Sequence, residues 1–114
     1  MIRILDEITL DAEHIDTVMQ NLVELYLPSC AERGLSLEQR WVSPPVAVPG
    51  QPNTLWLLWQ VPDVWGYYGM RSRLGAQAIQ FWAQVDGLCL SRRRHVLGDP
   101  GQPLEHQGGL SHVG

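Results

Sequence analysis

The residues best suited to chemistry in this sequence form one short run near its end, from Arg92 to His95. Guanidinium groups can donate forked hydrogen bonds to an anion, and the imidazole of His95 titrates near neutral pH. If the run continues a β-strand, alternate residues point to opposite sides, Arg92 and Arg94 to one side and Arg93 and His95 to the other. Because an unpaired charge is costly to bury, we expect acids of a partner subunit or a bound anion to meet these groups. The alternative is that the strand ends near Ser91 and the arginines are solvated.

The elements that position this run are predicted from the spacing of apolar residues. Period-2 and period-3.6 patterns indicate four strands and two helices in the order β-α-β-β-α-β. The predicted strands are residues 1–10, with a bulge at the acidic pair Asp6-Glu7, then 35–43, 54–61 and 88–97. The first helix, capped by Asp11, has a kink or a break at Pro28, followed by a last turn through residue 33 that ends at Gly34. The second helix is residues 64–85, capped by Asp63, and a proline-rich hairpin loop precedes the third strand.

This order predicts an α+β fold, the ferredoxin-like arrangement with an antiparallel sheet. The alternation in the second strand places Leu35, Leu37, Gln39 and Trp41 on one face. The third strand is apolar on both faces, so the sheet face without helices needs a cover. We expect that cover to be a second copy of the chain, which makes the protein a homodimer.

Composition excludes several classes of protein. The 114 residues predict one domain, residues 1–97, followed by a Gly/Pro-rich tail, residues 98–114. Residues 1–38 carry eight acids against two arginines, and the whole chain has a net charge of −4, which disfavours nucleic acid as a partner. Cys30 and Cys89 are far apart in sequence, so neither a zinc site nor a disulfide framework is expected. With no signal-like or membrane-spanning segment, we expect a cytoplasmic protein with no membrane association.

Two segments of the sequence resemble a known family. They are LWLLWQVPDVWGYYGMRSRLGAQAIQFW at residues 55–82 and YLPSCAERG at residues 26–34. Both are similar to NIPSNAP-type and antibiotic-biosynthesis-monooxygenase-like members of the dimeric α/β-barrel superfamily, and the resemblance extends over residues 1–97. It implies two sheets packed face to face in a dimer. Members of the superfamily include small cofactor-free oxygenases, cyclases and dehydratases, and the resemblance supplies no shared catalytic residues.

The predicted topology brings aromatic and cationic residues to one end of the sheet, where the third and fourth strands and the first helix all end. This composition suits a flat or aromatic ligand that carries an oxyanion. The residues expected to bind such a substrate are Trp59, Trp65, Tyr67, Tyr68 and Tyr26, with Arg92, Arg94 and Cys30 at the same end. For the tryptophans the alternative is core or dimer packing, and one of the two adjacent tyrosines is expected in the core.

The sequence supports two functional hypotheses. The first is a cofactor-independent monooxygenase, cyclase or isomerase/lyase acting on an aromatic, polyketide-like or terpenoid-like substrate. Here His95 is the base, and Arg93 or Arg71 holds an enolate-like oxygen. The second is a non-catalytic binding or assembly module, in which the arginines and the C-terminal tail dock a partner protein or subunit. For Arg71 the alternative to a ligand role is a solvated helix face or a pair with the acids of the first helix. No nucleotide-binding, nucleophile-elbow or zinc-protease motif occurs in the sequence, so we expect neither a nucleotide cofactor nor a metal.

Overall fold

The computed structural model describes residues 1–72, 75–101 and 104, without the side chains of residues 71 and 72. The four strands are β1 (Ile2–Leu10), β2 (Ser36–Ser43), β3 (Asn53–Val61) and β4 (Cys89–Leu97). The four α-helices are α1 (Ile15–Asn21), α2 (Leu27–Cys30), α3 (Val64–Ser72) and α4 (Ala76–Leu88). Within this part of the chain, none of the helices is both long and apolar enough to cross a lipid bilayer.

The strands form one sheet in the order β2-β3-β1-β4, and every neighbouring pair is antiparallel. This order confirms the predicted ferredoxin-like α+β fold. Alternate residues of β1 separate the two faces of the sheet. Ile4, Ile8 and Leu10 are fully buried beneath the helices, whereas Leu5 and Glu7 are half-buried on the opposite face. We call that opposite face the open face.

The hydrophobic core lies between the sheet and the helices. Its buried aromatic side chains are Tyr26, Trp59 and Phe81. Around them pack buried apolar residues of β1, β3 and the helical regions, together with Leu35, which comes just before β2: Ile4, Ile8, Leu10, Val18, Leu22, Leu35, Leu55, Leu57, Val61, Met70, Ala78 and Val85.

The first helical region runs without a gap from Ala12 to Arg33, but it changes type along its length. A 3₁₀ turn, Ala12–His14, precedes α1, and a π-helical segment, Leu22–Tyr26, joins α1 to α2. The helical region therefore continues through Pro28, and its hydrogen-bond spacing changes just before the proline, where the amide of Leu27 donates to the carbonyl of Leu22. The region ends at Gly34 in the left-handed conformation, with φ of 73°, as predicted.

The prediction of one long second helix is wrong. Two helices occupy that part of the chain, and Gly75 precedes α4 with an extended backbone, φ −93° and ψ 174°. Glycine loses more backbone freedom in a helix than any other residue, which makes it a natural place for the interruption. The cap on the first of these helices is confirmed, since the Gly66 amide donates to Asp63 Oδ1 at 2.6 Å. The second helix also reaches Leu88 rather than Val85 and passes directly into β4.

Two strand predictions also need correction. The pairing of β1 is regular through Asp6 and Glu7, and its register shift against β4 lies between Thr9 and Leu10. A second register shift lies between Leu37 and Gln39 in β2. The residue between them is not paired with β3, so the alternation changes phase there. Leu37 therefore packs on the core, whereas Trp41 pairs with Trp56 on the open face and is 50% exposed.

Candidate ligand-binding site

An open cavity of about 680 Å³ lies between the helices and the outer edge of the sheet formed by β4. This volume is in the range of small-molecule sites. Its wall combines apolar and aromatic side chains with three guanidinium groups and one carboxylate: Arg33, Tyr67, Met70, Ile79, Trp82, Ala83, Asp86, Arg92, Arg94 and Val96.

A buried carboxylate, Asp6, supports the β4 side of the cavity. It is only 2% exposed because it shares the inward-facing register of β1. The indole of Trp59 donates to Asp6 Oδ2 at 2.9 Å, and Arg94 donates to both carboxylate oxygens at 2.7 and 2.9 Å. Burial lowers the pKa of Arg94, but the hydrogen bonds and charge of Asp6 outweigh burial and hold that pKa above its ordinary value. Arg94 is therefore a fixed cation whose charge is already balanced.

Trp82 of α4 lies between the charged and the aromatic parts of the wall. The guanidinium carbons of Arg92 and Arg94 lie 4.6 and 5.2 Å from the centroid of its ring. Arg92 also forms a two-point ion pair with Asp86, in which NH2 donates to Oδ2 at 3.1 Å. The hydrogen bond from Arg92 lowers the pKa of Asp86 and raises that of Arg92. The charge of Arg92, like that of Arg94, is therefore matched by an acid.

Arg33, the third guanidinium of the wall, has different surroundings. The residue is 4% exposed, and its contacts are to neutral groups. Nε donates to the Met70 carbonyl at 3.4 Å, NH2 lies 3.0 Å from Met70 Sδ, and the guanidinium stands 5.3 Å from the centroid of the Tyr26 ring. Its NH1 group has no hydrogen-bond partner in the part of the chain that the structure describes. Arg33 is thus a buried cation that keeps an unused donor.

The hydroxyl of Tyr26 is a second buried polar group without a partner among the described residues. Its ring is held firmly, stacked on Phe81 at 4.9 Å and packed edge-on against Trp82 at 5.5 Å. The hydroxyl lies close enough to Arg94 to help raise the pKa of that guanidinium, but it forms no hydrogen bond to Arg94 or to another described residue. Buried polar groups are normally paired, so two such groups beside one cavity indicate a polar ligand.

The predicted run of basic residues is divided between the two faces of the sheet. Arg92 and Arg94 line the cavity, whereas the register of β4 places Arg93 and His95 on the open face, where His95 Nε2 lies 3.0 Å from Glu7 Oε1. His95 therefore does not line this cavity, because the sheet separates it from Arg92 and Arg94, although β3 and β4 end at the same end of the sheet as predicted. Acids of the same chain meet Arg92, Arg94 and His95: Asp86, Asp6 and Glu7, respectively.

The other predicted site residues have separate environments. Tyr67 lines the cavity, and Tyr68, 41% exposed, lines a smaller neighbouring cavity of about 260 Å³. Trp59 is a core residue, in keeping with the packing alternative, and Trp65 is 61% exposed and is not part of the cavity wall. Arg71 belongs to α3, but its side chain falls outside the described part of the structure.

Neither cysteine is in a disulfide, and neither carries the features of a reactive thiol. Cys30 is buried and donates to the carbonyl of Tyr26 at 3.2 Å. Burial raises the pKa of the Cys30 thiol to about 11, so it stays protonated at neutral pH. Burial likewise raises the pKa of Cys89.

Sequence reasoning missed Arg33, Asp6 and Trp82 as site residues. For Asp6 a signal existed, since it alternates with Ile4 and Ile8 and must share their inward direction. Arg33 gave no such signal, because its burial depends on Met70 and Tyr26, which reach it only in the folded chain.

A group of metal-binding residue types lies elsewhere. Oxygen and nitrogen atoms of Asp11, Glu13 and His14 fall within 4.8 Å of one another in the turn after β1. The two acids are exposed, and Glu13 pairs with His14 at 3.5 Å. This geometry is that of a surface ion pair with a neighbouring acid.

Comparison with known proteins places the fold. No family model and no curated protein sequence matches this chain. Among solved structures, an uncharacterized NIPSNAP domain protein from Burkholderia xenovorans is similar, with a TM-score of 0.67 and 13% identity over 92% of this chain and all of that one. A NIPSNAP family protein from Agrobacterium tumefaciens gives a TM-score of 0.64 at 13% identity over the same shares. A structure described as an antibiotic biosynthesis monooxygenase gives 0.59 at 11% identity, over 87% of this chain and 98% of the other.

These likenesses confirm the resemblance at the level of the fold. The chain has the ferredoxin-like fold of NIPSNAP-domain and antibiotic-biosynthesis-monooxygenase proteins. At identities this low the shared fold does not carry residue roles from one protein to another.

Proposed function

We propose that this protein is a small-molecule enzyme that works without a nucleotide cofactor and acts on an aromatic, polyketide-like or terpenoid-like substrate. The observation that supports this proposal is the cavity between helices and sheet, with two unpartnered buried donors, Arg33 NH1 and the Tyr26 hydroxyl, beside an apolar and aromatic wall. The reaction is a proton transfer, or an oxygenation that begins with one.

Each part of the wall has a role in this reaction. Trp82 and the apolar residues bind the ring system and exclude water, while Arg33 donates a hydrogen bond to the oxygen on which negative charge develops. Tyr26 lies behind this wall, against Arg33 and Trp82, and its hydroxyl offers a second donor. Asp86 is the carboxylate in the wall that can accept a proton. Because Arg92 lowers the pKa of Asp86, the Asp86 carboxylate accepts a proton only weakly. Substrates with an acidic O–H or C–H bond, such as phenols and β-dicarbonyl compounds, therefore suit the site best.

The proposal is tested by incubating the purified chain with phenolic and β-dicarbonyl aromatic compounds. Hydrogen–deuterium exchange followed by NMR reports proton transfer, and an oxygen electrode reports oxygenation. Substituting Arg33→Gln removes a donor to the developing oxyanion and should slow either rate about 100-fold. Arg40→Gln is the matched control, because it removes an exposed arginine from the opposite edge strand, β2. Equal rates for Arg33→Gln and the unaltered chain would contradict the role given to Arg33.

His95 remains the alternative base predicted from the sequence, and His95→Ala separates the two assignments. Loss of activity with an intact fold would support His95 and would require a second site on the open face. Retained activity would support the cavity, from which His95 is separated by the sheet.

A non-catalytic binding module is the second candidate function. It is favoured by the composition of the described wall, which contains no histidine and whose one carboxylate is held in an ion pair. Saturable binding of an aromatic compound with neither exchange nor oxygen consumption would support this candidate over the enzyme.

We also propose that the open face is covered by a second copy of the chain. Trp41 and Trp56 lie side by side there, next to half-buried Leu5 and Leu58. The face also carries both signs of charge in Glu7 and Arg93, which suits packing against an identical face related by a two-fold axis.

A further inference from the structure

Among the described residues around the cavity, one positive charge is unmatched. Three arginines line the described wall, and two of them are paired, Arg94 with Asp6 and Arg92 with Asp86. The third, Arg33, has only neutral contacts among the described residues. The described polar residues of the cavity thus carry a net charge of about +1, located on Arg33, a residue that is 4% exposed.

A buried guanidinium with neutral partners is costly, because it has lost water without gaining an opposite charge. An anionic oxygen that enters the cavity would remove this cost by accepting from Arg33 NH1, and the Tyr26 hydroxyl offers a second donor nearby. A neutral ligand would leave the charge uncompensated, and a dianion would exceed it. The site therefore matches one negative charge.

We infer that the cavity selects its aromatic ligand as the monoanion, with an ionised phenol or enol oxygen at Arg33, and that it lowers the pKa of that group on binding. This inference rests on the proposed function and adds the charge state in which the substrate binds. An opposite charge at close range favours ionisation by about one to three pKa units, so the bound ligand should be ionised where the free ligand is neutral.

The test uses 4-nitrophenol, whose absorption changes when the phenol ionises, and its neutral methyl ether, 4-nitroanisole. Cavity occupancy is read from the indole N–H resonance of Trp82, assigned with the Trp82→Phe variant. Titrations run below the pKa of the free phenol. We expect the bound phenol to absorb as phenolate, with an apparent pKa at least one unit lower than in water, and to bind about tenfold or more tightly than the ether. 4-Nitrophenyl phosphate should gain nothing from its second charge.

Variants then assign the effect to Arg33. Arg33→Gln should still bind the ether but should bind the phenol only in its neutral form, whereas Arg33→Lys should restore part of the pKa shift. Arg40→Gln should behave as the unaltered chain. Circular dichroism checks the folding of each variant, and the phenol–ether comparison in the unaltered chain does not depend on any variant.

The outcomes separate this inference from the proposed function. If both probes bind equally and the phenol stays neutral, the charge selection is wrong while the ligand cavity stands. If neither probe perturbs the Trp82 resonance at millimolar concentration, the cavity does not bind ligands of this class, and the proposed function fails with it. A pKa shift that persists in Arg33→Gln would overturn the assignment to Arg33.

Discussion

The carboxylate of Asp6 connects the core to the cavity. It accepts hydrogen bonds from the indole of Trp59 in β3 and from the guanidinium of Arg94 in β4, and it is almost fully shielded from water. Because Asp6 is buried, water screens its attraction to Arg94 only weakly. For the same reason, leaving either charge without its partner costs a large amount of free energy. Asp6 therefore affects stability more strongly than a surface acid.

Substituting Asp6→Asn should lower the free energy of unfolding by about 3 kcal/mol, because Arg94 is left without a balancing charge. Glu38→Gln is the matched control. It neutralises the acid of the more exposed Arg3–Glu38 pair, whose side chains are 45% and 28% exposed, and it should cost less than about 1 kcal/mol. Urea unfolding followed by tryptophan fluorescence measures both variants. Equal destabilisation by the two would show that Asp6 acts as a surface acid.

For single residues, the sequence predicts the face of the sheet to which a side chain points better than it predicts the residue that the side chain contacts. Alternation placed Arg92 and Arg94 on one side of β4 and His95 on the other, which the structure confirms. It could not identify Asp6 as the partner of Arg94, because the two are 88 residues apart and meet only when β1 pairs with β4.

Among the elements, the first helical region shows how a proline and a glycine shape one segment. Pro28 has no amide hydrogen to donate, and the helix changes to π-helical hydrogen-bond spacing just before it. Two side chains add hydrogen bonds at this point, since Ser29 and Cys30 both donate to the carbonyl of Tyr26. The result places Tyr26 in the core and Arg33 against the cavity. Gly34 then reverses the chain into β2.

Two glycine substitutions of opposite expected sign test this account. Gly34→Ala should destabilise the fold by about 1 kcal/mol, because φ is +73° and alanine is strained there although its Cβ would touch nothing within 4 Å. Gly87→Ala, within α4 and equally free of contacts, should stabilise by about 0.5 to 1 kcal/mol through helix propensity. Thermal unfolding by circular dichroism measures both. A stabilising Gly34→Ala would contradict the left-handed helix end.

The order of the elements follows from sequence, but their interruptions do not. The apolar periods of the four strands and the glycine after the first helical region were sufficient to predict β-α-β-β-α-β. The second helix is divided at Gly75, and Glu38 is the residue of β2 that is not paired with β3. The backbone preferences of these two residues are small, so tertiary packing decides their conformation and the sequence alone does not predict it.

For the whole molecule, the largest expectation concerns association through the open face. In analytical ultracentrifugation at tens of micromolar, the 12.9 kDa chain should sediment as a pair. Trp41→Ser removes a tryptophan that is 50% exposed on this face and should weaken association about tenfold or more. Trp65→Ser is the control, since it removes a tryptophan 61% exposed on α3. A single chain mass for the unaltered protein, or equal effects of the two variants, would refute the dimer.

The direct passage from α4 into β4 has a consequence for how the chain avoids misassembly. A shift of β4 by two residues along β1 would place Arg92 opposite Asp6, and the buried carboxylate would still meet a guanidinium. The contact at Asp6 therefore does not by itself exclude the wrong register. The ion pair between Asp86 and Arg92 does not tolerate this shift, because α4 passes into β4 with no intervening residue that could absorb the change in register. Inserting a few flexible residues at this junction would therefore turn one defined alignment into two competing ones.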